Sequence, residues 1–483
     1  MLFASRIFIF VFAPITFVGY WLLRTRRLKL WWLTLASYFL YGWWIWELSG
    51  LLLLTTLSGL LLLTTVICYF ATVQIGSTDN KAVRRTWLVI SLVASLSILA
   101  FFKYYMLLAA TANDLTGWLG GGGILPSWKI ILPIGISFFT FHAMSYSIDV
   151  YRRDVEATTD FIEFAAYFAM FPHLIAGPII RYREVYHTLK NLPLRLSAEN
   201  LNLGIFYFTL GLVKKILIAD RIAYYIDPMF RDYQSLAPVE TWLAMIGYSL
   251  QIYFDFAGYS LMAIGLGHLL GFEFPQNFNS PYKAVSISDF WRRWHMSLSR
   301  WLRDYLYIPI GGRNNRAVAL ALTMLLGGLW HGADWTFVIW GAYHAMLLQL
   351  HHQLKGFKWI PRNLVWARIG TFIMATIGWV FFVAGTDKFR GPVDYPPSIQ
   401  IAVTILTRMF DFAGFFQKVT LQPALVALVV IGLAWAMLGP NAVELVRVRK
   451  TTPRRSWAVA LGILGAACIL LLSETGPFLY FQF

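Results

Sequence analysis

The sequence predicts an all-α, polytopic membrane protein, and three observations support this fold class. Of the 483 residues, 58% are hydrophobic and only 13% are charged, which is typical of chains that cross a bilayer. The apolar residues form runs of roughly twenty, the length that spans the hydrocarbon core as a helix. Lys and Arg gather in short loops between these runs, so the net charge of +16 indicates membrane topology and no nucleic-acid partner.

The first part of the chain, residues 1–150, predicts consecutive membrane spans. Their expected positions are 3–23, 30–47, 50–73, 87–109 and 129–149. Cytoplasmic loops are enriched in Lys and Arg, so we expect three basic clusters in the cytoplasm: 24–29, 81–85 and 152–153. The N-terminus then lies outside, as do the segments 47–50 and 109–127.

The middle part, residues 151–352, departs from this regular pattern. Residues 161–180 contain Pro172 and Gly177 and lead into Arg181. A straight crossing would put this basic end outside, so we expect a re-entrant segment that returns to the cytosol. Two further spans are expected, at 201–219 and 242–270.

The longest polar stretch, residues 271–316, is expected to be cytoplasmic and to contain one interfacial helix beginning at Ser288 or Asp289. Spacing of three and four residues places a set of apolar side chains on one face of this helix: Trp291, Trp294, Leu298, Trp301 and Tyr305. A neighbouring stripe holds polar side chains: Arg292, His295, Ser299 and Arg303. Such a helix puts aromatic rings in the headgroup boundary and cations toward phosphates or an anionic ligand.

His331 is an ionisable residue in otherwise apolar sequence, next to Gly327, Gly328 and Gly332. An ionisable group at membrane depth is costly and indicates a functional site. The glycines are expected to interrupt the helix, which a membrane protein tolerates only where protein or a cavity surrounds the backbone. The pattern therefore predicts a buried reaction chamber.

The last part, residues 353–483, predicts spans near 364–385, 399–416 and 421–440 and a final span ending near 473. With these spans the chain has roughly ten to twelve crossing or partly crossing helices, and both termini lie outside. We expect a single membrane-embedded domain. Cys68 and Cys468 lie within apolar spans and are too few for a disulfide framework or a zinc site, so no metal is expected.

Three segments stand out in the middle of the chain: FPHLIAGPIIRYREV at 171–185, DFWRRWHMSLSRWLRDYLYIPIGG at 289–312 and LLGGLWHGADWTFVIWGAYH at 325–344. Taken together and in this order, they resemble the membrane-bound O-acyltransferase (MBOAT) family, in particular its bacterial branch that acetylates alginate and other polysaccharides. The ending PFLYFQF at 477–483 is similar as well. The first hundred residues match the family mainly in hydropathy.

The resemblance implies a membrane O-acyltransferase of the bacterial inner membrane that moves an acetyl or other short acyl group to a hydroxyl for extracytoplasmic polysaccharide acetylation. It implies a cytosolic acyl thioester, acetyl-CoA or another, as co-substrate, with no bound cofactor. It also implies as partners membrane lipid and either an extracytoplasmic transferase or the polysaccharide acceptor itself. The histidine at the position of His331 is the implied catalytic residue, and this branch has a second histidine at the position of His295.

Elementary chemistry supports His331, because a neutral imidazole accepts a hydroxyl proton near neutral pH. The alternative for His331 is a core histidine bonded to a backbone carbonyl. His295 could orient the donor, polarise the thioester carbonyl or cap the interfacial helix. Further candidates for donor binding or for lining the chamber are Arg292, Ser299, Arg303, His173, Trp330 and Asp255. Asp255 is an isolated intramembrane carboxylate for which Tyr253 and Tyr259 are the expected hydrogen-bond donors.

Other chemistries have little support in the sequence. It contains no H-E-x-x-H motif, no G-x-S-x-G motif and no glycine phosphate loop, which argues against zinc hydrolysis, a serine nucleophile and NTP hydrolysis. A transporter or acyl-exporting channel would also contain broken helices and intramembrane polar groups. D-alanyl, lipid and protein acylation within the same family are further alternatives.

Overall fold

The computed structural model describes residues 3–49, 51–126, 128, 130, 132–175, 177–354, 363–389, 398–416, 419, 421–451, 455–472, 476, 478 and 479. These residues form helices joined by turns and irregular segments, and no β-strand occurs among them. The predicted all-α fold class is confirmed. The chain divides into two compact units, one made of Met1–Phe208 with Met262–Pro275 and the other of Thr209–Leu261 with Gln276–Phe483. The predicted single domain, with parts 1–150, 151–352 and 353–483, stays a prediction.

The first unit is built from helices α1 to α9 and most of α10. Their bounds are Ala13–Leu22, Arg26–Ser49, Leu51–Gly76, Lys81–Leu99, Tyr105–Trp118, Ile136–Arg152, Phe161–Phe168, Phe171–Leu174, Tyr182–Lys190 and Ala198–Leu212. Wider π-helical turns occur at Phe8–Phe12 and Ala100–Tyr104. The segment predicted to be re-entrant is broken, since α7 ends at Phe168 and α8 is a single turn that starts at Phe171 and contains Pro172.

The second unit holds helices α11 to α21, apart from the last turns of α12. Their bounds are Asp220–Arg231, Pro238–Leu270, Ile287–Arg293, Met296–Leu302, Arg316–His331, Trp335–Leu354, Leu364–Ala384, Ser398–Met409, Pro423–Met437, Ala442–Thr451 and Arg455–Leu470. π-helical turns occur at Val213–Ala219 and Arg303–Tyr307.

Four helical segments within the described residues are long and apolar enough to cross a membrane: Ser58–Gly76, Lys81–Trp118, Ala198–Arg231 and Leu364–Ala384. A pair bent by 66°, Pro423–Met437 with Ala442–Val448, passes the same criterion when taken together. The polytopic prediction is therefore confirmed, and the number of crossings stays a prediction. The expected span at 129–149 begins later, at Ile136, because Pro133 and the left-handed Gly135 hold the preceding chain out of the helix.

The prediction of one continuous interfacial helix is wrong. The backbone of His295 is left-handed, with φ +42°, which ends α13 at Arg293 and starts α14 at Met296. The predicted stripes are therefore not continuous, because a helical face requires an unbroken helix. Of the aromatic residues expected at the lipid boundary, Trp294, Trp301 and Tyr305 are buried in the protein.

Candidate active site

Helices α15 and α16 pack so closely that their backbones touch, and small residues make this contact possible. A Cβ atom on Gly328 would lie 2.2 Å from the carbonyl oxygen of Phe337, and one on Gly341 would lie 2.3 Å from that of Met324. Gly328 therefore serves packing, and the expectation that Gly327 and Gly328 break the helix is wrong. The helix ends only after His331, at Gly332, which has no room for a side chain because Phe337 fills it.

His331 is the last residue of α15 and is buried, with 4% of its surface exposed. Its ring is surrounded by aromatic side chains. The ring centroids of Trp330, Trp340 and Phe382 lie 5.1, 5.1 and 5.2 Å from that of the imidazole, all at steep angles. Close packing on several sides restricts the rotation of the imidazole, so this group is held in one orientation.

A cavity of about 380 Å³ extends along α15 to His331. One face of α15 forms its wall: Arg316, Leu320, Thr323, Met324, Gly327 and His331. Fifteen residue steps in a helix span roughly 22 Å, so the cavity joins the basic start of α15 to the imidazole at its end. Gly327, unlike Gly328, contributes to this wall, and the absence of a side chain there keeps the space open.

The start of this cavity is basic and polar. Its lining includes the exposed side chains of Arg292, Arg303, Arg316 and His352 and the half-buried side chains of Ser288 and Ser299. Arg303 forms an ion pair with Asp304, at 2.7 Å. Ser299 donates its hydroxyl to the backbone oxygens of Trp291 and Trp294. Three of the predicted residues, Arg292, Ser299 and Arg303, are thus brought onto one cavity with His331.

His331 also lines a second, much smaller cavity. It has a volume of about 10 Å³, roughly the space one water-sized group occupies. Asp255 and His331 are its polar residues, and the rest of the lining is apolar: Ile252, Phe256, Trp294, Trp379, Phe382, Phe478 and Leu479. His331 therefore lines both a large, basic cavity and a small, mostly apolar one.

Similarity to known proteins shows the family to which this chain belongs. Residues 38–384 match the membrane-bound O-acyltransferase family. The chain belongs to this family. It is therefore a membrane-bound O-acyltransferase, and the predicted enzyme class and multi-pass location in a bacterial inner membrane are confirmed.

Several relatives of this O-acyltransferase are known from bacteria. A probable alginate O-acetylase of Pseudomonas aeruginosa is 40% identical over 421 residues, which cover 85% of this chain and 75% of the relative. The corresponding protein of Azotobacter vinelandii is 37% identical over the full length of both chains. A peptidoglycan O-acetyltransferase of Helicobacter pylori is 37% identical over 423 residues, covering 80% of this chain and 77% of the relative.

The second predicted histidine of the acyltransferase, His295, is fully buried and lines neither of these two cavities. Its Nδ1 atom lies 3.1 Å from Oδ1 of Asn277. Its ring lies 4.7 Å from that of Phe256 and 6.2 Å from that of Trp330. Trp330, also predicted to line the chamber, lines neither of these two cavities, and its ring contacts the rings of both His295 and His331. Burial lowers the pKa of His295 to about 3, so its imidazole is neutral at physiological pH.

The prediction that Asp255 is an isolated carboxylate is wrong, because a lysine side chain and a main-chain N–H of the acyltransferase contact it. Nζ of Lys215 lies 2.9 Å from Asp255 and 2.8 Å from Asp220, and all three side chains are almost completely buried. The backbone N–H of Leu479 donates to Asp255 at 2.7 Å. Asp255 thus fixes Leu479, and both residues line the small cavity beside His331.

His173 belongs to the first unit and lines neither cavity of the acyltransferase described above. It is fully buried, its Nε2 atom lies 3.0 Å from the carbonyl oxygen of Tyr167, and its ring lies 4.6 Å from that of His142. Sequence reasoning included Arg316 among the basic residues that could hold the donor but missed Asn277 and Trp340 as parts of the site. Only the polar segment QNFN at 276–279, shortly after a long apolar helix, gave a signal for Asn277.

Proposed function

We propose that this O-acyltransferase moves an acetyl group from a thioester donor at the cytosolic face to a hydroxyl used in extracytoplasmic polysaccharide acetylation, with His331 as the general base. The observation that carries the proposal is that His331 lines both a large basic cavity and a small, mostly apolar cavity. The relatives named for acetylation of alginate and of peptidoglycan support acetyl as the group and a polysaccharide as the acceptor.

The proposed reaction needs one base at the point where donor and acceptor meet. The hydroxyl oxygen attacks the thioester carbonyl while His331 takes the hydroxyl proton. The C–S bond then breaks, the O-acetyl ester leaves, and the thiolate takes the proton back from the imidazolium. Base catalysis of this kind contributes roughly 10²–10⁴-fold to the rate.

The large cavity suits the donor. Its volume of about 380 Å³ lies in the range of small-molecule sites, and the wall leading to His331 is mostly apolar, as a thioester arm requires. Coenzyme A and acyl carriers carry phosphate, which Arg binds well. The basic loops of the chain are expected in the cytosol, so the donor reaches His331 without crossing the hydrocarbon core.

The small cavity suits the acceptor hydroxyl, because aromatic side chains make up much of its lining and Asp255 and His331 are its polar residues. The hydroxyl arrives from the extracytoplasmic side, carried by the polysaccharide or by a transferase that serves it. Asp255 holds Leu479 in place at this cavity and is proposed as a lining residue with no proton-transfer role.

The test is to reconstitute the purified protein in liposomes with radiolabelled acetyl-CoA, with and without alginate oligosaccharides. We expect label in an alkali-labile ester on the oligosaccharide, formed only when both substrates are present. A transporter would move label across the liposome membrane without forming an ester, and that result would reject the proposal in favour of transport.

The donor cavity makes a separate prediction about charge. Arg316→Glu should raise the KM for acetyl-CoA about tenfold or more, because a carboxylate at the start of α15 repels the phosphates. The KM for an acetylated cysteamine without phosphate should stay within a factor of two or three. Arg313→Glu is the matched control, since Arg313 is exposed and lies outside the cavity lining. Equal effects of both variants on both donors would contradict phosphate binding at Arg316.

A further inference from the structure

The side chain of Asn277 lies at the centre of a buried hydrogen-bond cluster. Its Oδ1 atom accepts from the backbone N–H of Ser297 at 3.2 Å and from the Ser297 hydroxyl at 2.9 Å, and lies 3.1 Å from Nδ1 of His295. Its Nδ2 atom donates to the hydroxyl of Ser260 at 3.1 Å. Both Asn277 and His295 are buried, so these contacts are shielded from water.

This cluster fixes the tautomer of His295. An amide oxygen has no hydrogen to donate, so the Nδ1 atom of His295 must carry the proton in its bond to Asn277. The imidazole of His295 is neutral, which leaves Nε2 as the bare nitrogen on the far side of the ring. No hydrogen-bond partner of Nε2 exists among the described protein atoms, although the atom is buried.

A buried acceptor without a partner costs about 1–3 kcal/mol, and a hydrogen bond formed to Nε2 would recover this cost. The His295 ring meets Phe256 edge to face, and Phe256 lines the small cavity that His331 also lines. The His295 ring is therefore separated from the proposed acceptor position by the side chain of Phe256.

Resting on the proposed acetyl transfer, we propose that Asn277 is a positioning residue: it holds His295 in the Nδ1–H tautomer, so that Nε2 accepts a hydrogen bond from the acceptor hydroxyl once the ring of Phe256, which separates His295 from the small cavity, turns aside during the reaction. The bond orients the hydroxyl toward the donor, and His331 takes the proton. Asn277 touches no substrate and acts through His295.

Asn277 also stabilises the left-handed turn at His295, so a substitution there can lower turnover by disturbing the fold alone. Its backbone oxygen accepts from the N–H of Met296 at 2.8 Å, and this bond survives any side-chain change. Ser297→Ala removes one side-chain bond to Asn277 and leaves the bond to His295. Asn279→Leu is the matched control, since Asn279 lies in the same segment and accepts from Asn441 rather than from His295.

The experiment combines turnover with ¹⁵N NMR of histidine-labelled protein in nanodiscs, with the His295 signal assigned from His295→Gln. We expect Nδ1–H in the wild type, mixed tautomers in Asn277→Leu, and a loss of turnover of roughly 100-fold in that variant with the donor KM unchanged. Asn277→Asp keeps an oxygen acceptor and should retain the tautomer and most turnover, while its carboxylate stabilises imidazolium, so that His295 protonates at higher pH.

Two results would overturn this role of Asn277. One is an unchanged His295 tautomer in Asn277→Leu, and the other is an equal loss of turnover in Asn277→Leu and Asn279→Leu. The spectroscopic signal does not depend on acetyl transfer. A wild-type protein that shows the Nδ1–H tautomer but forms no acetyl ester would therefore reject the proposed function and leave the tautomer assignment standing.

Discussion

Replacing His331 with alanine should abolish measurable acetyl transfer, a loss of roughly 10²–10⁴-fold, while the protein still inserts and stays folded. The imidazole is the group proposed to accept the hydroxyl proton, and its removal takes away the imidazole that lines both cavities. The fold should persist because His331 is the last residue of α15, whose backbone contact with α16 depends on Gly328 and Gly341. Ester formation and the elution profile in detergent measure the two effects.

His344→Ala is the matched control for this loss. His344 is also fully buried, and its ring lies 4.9 Å from that of Trp340, but it lines neither cavity. Its variant should keep most turnover. His295→Ala should lower turnover substantially but less completely than His331→Ala. If His295→Ala alone abolished transfer and His331→Ala remained active, the roles of the two histidines would have to be exchanged.

Lys215→Met should lower the free energy of unfolding by about 3–5 kcal/mol, because it leaves two buried carboxylates without the cation that they share. Asp220 and Asp255 would then repel each other in a region of low dielectric. Release of Asp255 should also loosen Leu479 in the wall of the small cavity. Unfolding in detergent mixtures measures the stability.

Lys214→Met provides the control, with the same chemical change one residue earlier in the chain. Lys214 is also buried, but it lies over the rings of Tyr253 and Trp435, at 5.8 and 5.9 Å. Replacing a cation over aromatic rings with an apolar side chain should cost at most about 2 kcal/mol. Equal destabilisation by the two variants would show that Lys215 does not neutralise the two aspartates.

Local sequence determined the helical membrane fold and was enough to single out His331 as a candidate, because both follow from properties that short segments carry. Apolar runs of about twenty residues specify spans whatever their neighbours are. An ionisable residue at the end of an apolar helix is costly wherever it lies, so His331 stands out before any contact is known. The basic residues Arg292 and Arg303 were found from their three- and four-residue spacing within a polar stretch, which is also a local property.

Tertiary structure decided the features that depend on residues far apart in the chain. Asp255 looked isolated because its partners, Lys215 and the N–H of Leu479, lie 40 and 224 residues away. The break at His295 depends on its bonds to Asn277, and no spacing rule within one helix contains that contact. Gly327 and Gly328 are neighbouring residues of the same type, so the sequence does not distinguish them. In the structure Gly327 lines the large cavity, whereas Gly328 lies against the carbonyl oxygen of Phe337. The packing of α16 against α15 decides this difference.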